Sequence, residues 1–232
     1  MTRSTSVAER VVSVNVGRPT QVPYRGGMVS TGIFKHPVGG RVMLRTTNLD
    51  GDGQADPSVH GGADMAAYVY SWDSYRWWID ELGHDLQPGE FGENLTVTGF
   101  TDETVRVGDV IRIGDALVQA TAQREPCFKL GIRMGDHRFP ARFRDANRMG
   151  FYVRVLEDGE IGAGDVVAIV EEAVGSVTIA ELHRVYAYAR DDVAALRRLI
   201  AAPGLPESWR GWAEKRIAEA SAEEAPAAED LG

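Results

Sequence analysis

Cysteine is almost absent from this 232-residue sequence, since Cys127 is the only one. One thiol cannot form an internal disulfide, which excludes the disulfide-stapled class of small secreted domains and fits a reducing compartment. The sequence also has no apolar run long enough to span a membrane, and its first residues lack the apolar core of a signal peptide. We therefore expect a soluble, cytoplasmic protein with no membrane partner.

Several common catalytic signatures are missing as well. The sequence has no phosphate-binding loop, dinucleotide fingerprint, zinc signature or serine nucleophile elbow. A single cysteine also cannot hold an iron–sulfur cluster. These absences argue against the enzyme classes that depend on those motifs.

Basic residues are in the minority, with 25 Lys and Arg against 34 Asp and Glu and a net charge of −9. Nucleic-acid binding needs a basic face that neutralises phosphates, so we expect no nucleic-acid partner. Five of the acidic residues lie in 219–232, a stretch without Lys or Arg. We expect that stretch to be an acidic, disordered tail.

Up to about residue 173 the sequence is rich in glycine and in short valine and isoleucine runs. Two segments, 105–122 and 151–170, alternate apolar and polar residues with a period of two, as half-buried strands do. Short strands at even spacing favour a barrel or a sandwich. The sequence alone does not distinguish a closed barrel from an open antiparallel sheet.

Two regions have a helical pattern instead. Residues 71–83 place Tyr75 and Trp78 on one face between a serine cap and a glycine cap. From residue 176 onward, capping residues and apolar stripes predict three short helices. We therefore divide the chain into a β domain (1–173), a three-helix domain (174–218) and the acidic tail (219–232).

Cys127 lies in the segment "QREPCFK", inside the most basic part of the sequence. Residues 123–154 contain eight Lys or Arg and three acids, a local charge of +5. Nearby cations favour thiolate over thiol and bind anions such as phosphate. The segment can therefore be an anion site with a soft sulfur donor. A buried cysteine beside a solvated arginine face explains the composition equally well.

Three other segments hold candidate site residues. His60 precedes a Gly-Gly pair in 51–68, Lys35 precedes His-Pro in 30–42, and Glu90, Glu93 and Asn94 lie in a glycine-rich turn in 88–100. Carboxylates and histidine can move protons, and lysine can bind a phosphate. Taken singly, each also reads as an ordinary turn or surface residue.

Taken together, the segments resemble the MOSC domain, and within it the YiiM-like branch. The quoted motifs, in order, are "TGIFKHPV", "LDGDGQADPSVHGG", "PGEFGENLTVTGF", "VRVGDVIRIGDALV", "REPCFKL" and "GFYVRVLEDGEIGAGD". The residues after 177 are similar to the three-helix domain that follows MOSC in that branch. The resemblance implies a mainly β, α+β fold, namely a β-barrel-like domain followed by a small three-helix bundle.

The resemblance also implies a molybdenum cofactor (molybdopterin), which carries a dithiolene and a terminal phosphate. Cys127 matches the motif cysteine of the family and is implied to be both a metal ligand and a catalytic residue. Lys35, His60, Asn94, Arg124 and Lys129 fall in matching motifs and are expected to contact the cofactor. A soft thiolate suits the sulfur-rich coordination of molybdenum.

The activity that the resemblance implies is the reduction of small N-hydroxylated compounds, such as hydroxylaminopurine bases, to amines. His60, Glu93 and Glu90 are candidate proton donors, and electrons would come from a separate reductase. Two other functions stay open: a sulfur carrier that uses a Cys127 persulfide, and a binding module without catalysis. Met65 stands where this branch usually has lysine, which bears on substrate identity. A homodimer is a further expectation, because the small helical unit needs a surface to pack on.

Overall fold

The computed structural model describes residues 8–55 and 61–223. The strands in these ranges are β1 Val11–Val16, β2 Thr20–Tyr24, β3 Gly27–Thr31, β4 His36–Pro37, β5 Arg41–Arg45, β6 Asn48–Leu49, β7 Ala67–Ser71, β8 Leu95–Val97, β9 Val110–Ile113, β10 Ala116–Gln123, β11 Phe151–Glu157, β12 Gly159–Gly162 and β13 Val167–Glu171. The helices are α1 Trp72–Leu82, α2 Phe128–Arg133, α3 Phe139–Asp145, α4 Ile179–Tyr188, α5 Val193–Ala201 and α6 Glu207–Glu223, with a 3-10 helix at Ala63–Met65. None of the helices in these ranges is long and apolar enough to cross a membrane.

Eight strands form one sheet in the order β13-β9-β10-β11-β7-β8-β1-β4. The pairs are antiparallel except β7 and β8, which run parallel. Two smaller sheets, β12-β5-β6 and β2-β3, lie apart from it. The prediction of a mainly β, α+β fold is therefore confirmed.

The sequence left open whether the sheet closes into a barrel, and among the described residues it does not. The strand ladder is open, and its two sides approach each other through one isolated bridge between Arg10 and Val166. Val11 N donates to Asp165 O at 2.9 Å beside this bridge. The barrel stays open because the pairing between β1 and β13 is limited to this short contact.

Helix α1 forms where the sequence predicts it. Ser71 accepts a hydrogen bond from Asp73 N at 3.1 Å, and Gly83 ends the helix in the left-handed conformation with φ 72°. Tyr75 and Trp78 are buried, as their spacing indicates. They join an aromatic cluster that also contains side chains from α3, and this cluster forms a second core on one side of the sheet.

Two of the three C-terminal helices, α4 and α5, begin at capping residues. Thr178 accepts a bond from Glu181 N at 3.1 Å at the start of α4, and Asp192 accepts one from Ala195 N at 2.9 Å at the start of α5. Their apolar residues belong to the same core cluster as the inner face of the sheet. The helices therefore pack on the β domain of their own chain.

Helix α6 is longer than the sequence suggested, because it runs to Glu223. The expected tail boundary at residue 219 is wrong for residues 219–223, and the rest of that tail lies outside the described residues. Alanine favours helix, and Arg216 binds Glu219 at 2.7 Å one turn away, so the helix continues through this acidic stretch.

The loop before α6 is seated against the turn before β9. Gly108 has φ +98°, and a Cβ there would lie 2.3 Å from Pro203 O. Arg154 Nη2 donates to Gly204 O at 3.0 Å on the same loop. Only glycine permits this approach of two backbones, so the junction fixes the position of α6 over the sheet.

Candidate functional site

A cleft opens where several loops meet beside strands β7 and β11. Five of the residues singled out from the sequence line it: Lys35, Asn94, Arg124, Cys127 and Lys129. They come from the loop after β3, the segment before β8 and the segment that runs from the end of β10 into α2, where Lys129 is in the first turn of the helix. The fold therefore brings residues from three separate motifs to one place.

Cys127 is half-buried at the mouth of the cleft, directly before helix α2. Pro126 precedes it, and the following Phe128 stacks on Tyr24 with ring centroids 5.0 Å apart. Tyr152 lies close by: burial raises the pKa of its phenol, and the charge of the Cys127 sulfur adds to that rise. The sulfur is thus held in a braced turn that still faces the cleft.

Arg124 is a buried cation, only 6% exposed. Its guanidinium carbon lies 5.6 Å from the ring centroid of Tyr68 and 5.7 Å from that of Phe143. Its Nη1 atom is buried without a hydrogen-bond partner, and within the described residues Arg124 makes no ion pair. A desolvated guanidinium is costly unless it is paired, so this side chain is suited to an anionic ligand.

Lys35 is also buried, but its charge is matched within the protein. Its Nζ lies 2.5 Å and 2.6 Å from the two carboxylate oxygens of Asp52. Asn94 Nδ2 and Gly17 N donate to the same carboxylate at 2.9 Å and 2.8 Å. Burial lowers the pKa of Lys35, and the neighbouring carboxylate of Asp52 opposes that effect. Lys35 and Asn94 thus form one wall of the cleft through Asp52.

The basic segment 123–154 contributes fewer cations to the cleft than its charge suggested. Arg124 and Lys129 line the cleft. Other arginines of the segment are paired elsewhere, Arg133 with Glu90 at 3.2 Å and Arg154 with Asp64 at 2.6 Å. Sequence position alone could not separate these groups, because the ion pairs join residues that are distant in the chain.

The candidate proton donors are placed differently from one another. Glu93 is 0% exposed and is not among the cleft-lining residues; its Oε1 accepts bonds from Tyr75 Oη, Gly89 N and Thr96 Oγ1 at 2.6–2.8 Å. Burial raises the pKa of its carboxyl. Glu90 faces Arg133 instead. His60 lies outside the described residues, so its assigned roles stay predictions.

Three residues of the cleft had not been assigned a role from the sequence. Asp52 lies within the motif that contains His60. Nothing in the sequence indicated that it forms a salt bridge with Lys35. Tyr68 and Tyr152 line the cleft from strands β7 and β11. Tyr152 lies in the segment 151–170, which was predicted only as strand, and Tyr68 ends the segment that was singled out for His60. Met65, which stands where the family branch usually has lysine, also lines the cleft, so this position is apolar here.

The residues around the cleft fit the molybdenum cofactor that the resemblance implies. Cys127 offers a soft sulfur donor, and the unsatisfied Nη1 of Arg124 suits a phosphate. Among the described residues no group of three or more His, Cys, Asp or Glu could hold a metal ion by itself. A metal bound here would therefore need the two dithiolene sulfurs in addition to Cys127.

Two family models match the chain. Residues 56–168 match the MOSC domain, and residues 177–220 match the YiiM-like, 3-alpha helix domain. The first range contains β7–β12 and the cleft residues from Gly61 to Tyr152, while β1–β6, Lys35 and Asp52 lie before it; the second range contains α4 and α5 and most of α6.

Individual relatives agree with these matches. Protein YiiM of Escherichia coli is 32% identical over 187 residues, covering 79% of this chain and 83% of that protein. A protein named Reductase from Gibberella moniliformis is 34% identical over 164 residues, covering 69% of this chain but 29% of that longer protein. The crystal structure of YiiM from Geobacillus stearothermophilus superposes with a TM-score of 0.77 at 32% identity, covering 90% of this chain and 99% of that one. The chain belongs to the MOSC domain family, in its YiiM-like branch.

Proposed function

We propose that the protein reduces small N-hydroxylated compounds to amines with a bound molybdenum cofactor. The observation that carries this proposal is that one cleft holds both the Cys127 sulfur and the buried guanidinium of Arg124, which makes no ion pair with any residue that the structure describes. A soft donor beside an anion-seeking cation suits a metal whose cofactor ends in a phosphate. The likeness to a protein named Reductase supports an oxidoreductase role for this domain.

In this proposal each side chain of the cleft has a separate task. Cys127 binds the metal, while Arg124 and Lys129 bind the phosphate. Asn94 and Lys35 hold Asp52 in place and keep that wall of the cleft rigid. When bound, the cofactor would supply the two-electron redox chemistry that reduces the N–O bond.

The overall reaction consumes two electrons and two protons, converting R–NHOH to R–NH2 and water. Protons come from the protein or from solvent. Tyr152 lies in the cleft and keeps its proton at neutral pH, because burial raises its pKa. Glu90, Glu93 and His60 stay candidate donors. Substituting the true donor lowers turnover without removing molybdenum.

The electrons come from a separate reductase, since one cysteine cannot hold an iron–sulfur cluster. A reductase with its own redox centre is therefore a required partner. A homodimer stays a prediction, as does the expectation that no nucleic acid is a partner.

Metal content tests the proposal directly. Wild type and Cys127→Ala are purified from a host that makes the cofactor, and molybdenum per chain is measured by mass spectrometry. We expect nearly one molybdenum per wild-type chain and almost none in the variant. Met134→Leu is the matched control, because it removes another sulfur of the same segment outside the cleft.

Two outcomes contradict the proposal. If wild type lacks molybdenum while a known molybdenum enzyme from the same host is loaded, the cofactor assignment fails. A persulfide found on Cys127 by intact-mass analysis would then identify a sulfur carrier. An unmodified thiol and no metal would identify a binding module.

A further inference from the structure

A surface recess lies where the tip of the β2–β3 hairpin meets helix α2, and we call it the hairpin recess. Its volume is about 470 Å³. Its lining residues are Pro23, Tyr24, Arg25, Phe128, Gly131, Ile132, Gly135 and His137. Among the described residues the hairpin recess and the cleft share no lining residue, so the recess is a separate surface.

The hairpin recess begins one residue away from Cys127. Phe128 lines the recess, whereas Cys127 before it and Lys129 after it line the cleft. Consecutive Cα atoms are only about 3.8 Å apart. The first turn of α2 therefore separates the two surfaces, and a molecule that occupies the recess lies beside the sulfur that is assigned to the metal.

The centre of the hairpin recess is apolar and accessible. Phe128 is 46% exposed, although its ring stacks on that of Tyr24. Pro23 and Ile132 add further apolar surface from the hairpin and from α2. An aromatic centre that stays exposed in the folded chain is typical of the residues that dominate contacts between proteins.

The rim of the hairpin recess is basic. Arg25 is exposed, and its guanidinium carbon lies 5.2 Å from the ring centroid of Tyr24. Arg138 is also exposed and directly follows His137 of the lining. Neither arginine forms an ion pair with a residue that the structure describes, and the nearby Asp136 accepts a bond from the backbone N of Arg138 at 2.8 Å. Both positive charges are therefore available to a partner.

The charge of the rim contrasts with that of the whole chain. The net charge of the chain is −9, whereas the segment 123–154, which forms α2 and α3, carries +5. The last turns of α6, by comparison, contain Glu219 and Glu223. An acidic partner is repelled by most of this molecule and attracted to the side that holds the recess, because complementary charge steers association.

We propose that the hairpin recess is the docking surface of an acidic electron-carrier protein, which passes electrons to the metal site beside Cys127. Each turnover of R–NHOH to R–NH2 and water consumes two electrons and two protons. A carrier of single electrons must dock and leave twice for each turnover, so its contact must be small and short-lived. Electron-transfer contacts are among the smallest protein interfaces, and charge complementarity speeds their formation. This inference rests on the proposed reductase function and adds the place and the charge of its partner.

Binding to the metal-free chain tests the surface without any measurement of activity. Two acidic carriers serve as probes: oxidised flavodoxin, which holds FMN, and a plant-type ferredoxin, which holds an iron–sulfur cluster. Full-length Cys127→Ala should bind a carrier at low salt in titration calorimetry, and high salt should abolish the binding because exposed charges are screened. Adding Arg25→Asp and Arg138→Glu should weaken that binding about tenfold, since each change replaces an attraction by a repulsion.

The variants are chosen to keep the fold. Arg25 has φ 48°, a left-handed conformation that aspartate tolerates. Arg197→Glu/Lys215→Glu is the matched control, because it makes the same change of charge at exposed positions of α5 and α6. Arg25→Gln/Arg138→Gln is a milder second variant and should weaken binding about threefold. Thermal unfolding of each variant shows whether it is folded.

Turnover with two electron sources gives a second measurement. The molybdenum-loaded protein reduces 6-hydroxylaminopurine with electrons either from the reduced carrier or from a reduced zwitterionic viologen, which is too small to need a docking surface. Arg25→Asp/Arg138→Glu should lower kcat/KM for the carrier about tenfold at low salt and leave viologen-driven turnover within about twofold of wild type.

The inference is overturned if neither carrier binds or drives turnover in a wild type that the viologen does drive. It is also overturned if the folded variants bind the carrier as wild type does, or if the control on α5 and α6 loses as much. These results leave the reductase standing. Conversely, a wild type without molybdenum that the viologen cannot drive removes the reductase, while carrier binding with the expected variant pattern still supports the docking surface.

Discussion

Two buried cations face the same cleft and differ in how their charge is balanced. Lys35 is 7% exposed and Arg124 6% exposed, so water is excluded from both to a similar degree. Lys35 lies against both oxygens of Asp52, whereas Arg124 has aromatic rings beside it and an unsatisfied Nη1. Burial alone therefore does not identify a ligand-binding cation; the balance of its charge does.

The difference has an energetic meaning. A matched buried pair loses stability when one partner is removed, because the other charge is left without a counter-ion. An unmatched buried cation already costs stability, and its removal relieves that cost at the expense of ligand binding. Substitution of Lys35 should therefore lower the free energy of unfolding, whereas substitution of Arg124 should weaken ligand binding without lowering that free energy.

The largest effect is expected from Lys35→Met, which leaves the Asp52 carboxylate, 2% exposed, without its cation. We expect the free energy of unfolding to fall by about 3–5 kcal/mol, measured by urea denaturation at pH 7. Lys215→Met is the control, because Lys215 is 75% exposed and its pairing with Glu219 should contribute less than about 0.5 kcal/mol. A loss below about 1 kcal/mol for Lys35→Met would show that the pair does not stabilise the fold.

Asp102 extends the comparison to a buried carboxylate. It accepts hydrogen bonds from backbone N–H groups but forms no salt bridge within the part of the chain that the structure describes. Its Oδ1 accepts from Met149 N at 3.1 Å and Gly150 N at 2.9 Å, and burial raises its pKa from 3.8 to about 7. Between these two values the unfolded chain has lost the proton and the folded chain retains it. Stability therefore falls as pH rises from about 4 to about 7, and the loss is complete above that.

Asp102→Asn keeps the accepting oxygen and removes the titration. From pH 5 to pH 8, wild type should lose about 2–3 kcal/mol more unfolding free energy than the variant does. Urea denaturation of both proteins at the two pH values measures this difference. Parallel pH dependence would mean that the backbone N–H groups keep Asp102 ionised in the folded protein.

For Arg124→Gln we expect the opposite of the Lys35 result. Unfolding free energy of the metal-free chain should stay within about 1 kcal/mol of wild type or rise, because the unpaired charge is removed. The variant should bind the cofactor about 10- to 100-fold more weakly, because it loses roughly one charge-assisted hydrogen bond. The molybdenum that each protein retains after dialysis measures this loss. Arg142→Gln, an exposed arginine paired with Glu81, is the matched control. A strongly destabilised variant with unchanged metal content would assign Arg124 to the fold instead.

The smallest effect is expected from Met65→Lys, which adds a cation to the apolar part of the cleft. Metal-free protein should bind inorganic phosphate about two- to fivefold more tightly at low salt, and the gain should vanish at high salt. Titration calorimetry at two ionic strengths measures this. Met28→Lys, at a residue that is 60% exposed, adds the same charge away from the cleft. Equal gains in both variants would point to a general charge effect.

Local rules predicted α1 and α4–α6 because their signals are close in sequence, but they missed the short helices α2 and α3. The Ser71 and Thr178 caps, the glycine after α1 and the apolar stripes all lie within a few residues of the helices that they define. The clustering of Lys35, Asn94, Arg124, Cys127 and Lys129 followed from the order of the family motifs. No spacing within the sequence would have brought them together.

The parts that were not predicted depend on contacts between distant segments. The salt bridge between Lys35 and Asp52 and the burial of Glu93 both depend on how the loops pack. The periodicity of the sequence carries no information about that packing. A cavity next to the cleft is assembled from four segments, 61–65, 122–125, Tyr152 and 206–209, and the last of these belongs to the helical domain. The open sheet likewise depends on how short the contact between β1 and β13 is.

The close contact between Gly108 and Pro203 links the turn before β9 to the position of the loop before α6. A side chain at position 108 would act as a wedge against the Pro203 carbonyl, since even a Cβ would be only 2.3 Å from it. The loop that it would push leads directly into Pro206 and Trp209, which line the far side of the cavity. A single methyl group at this turn would therefore shift one side of that cavity while every residue that lines it stays the same.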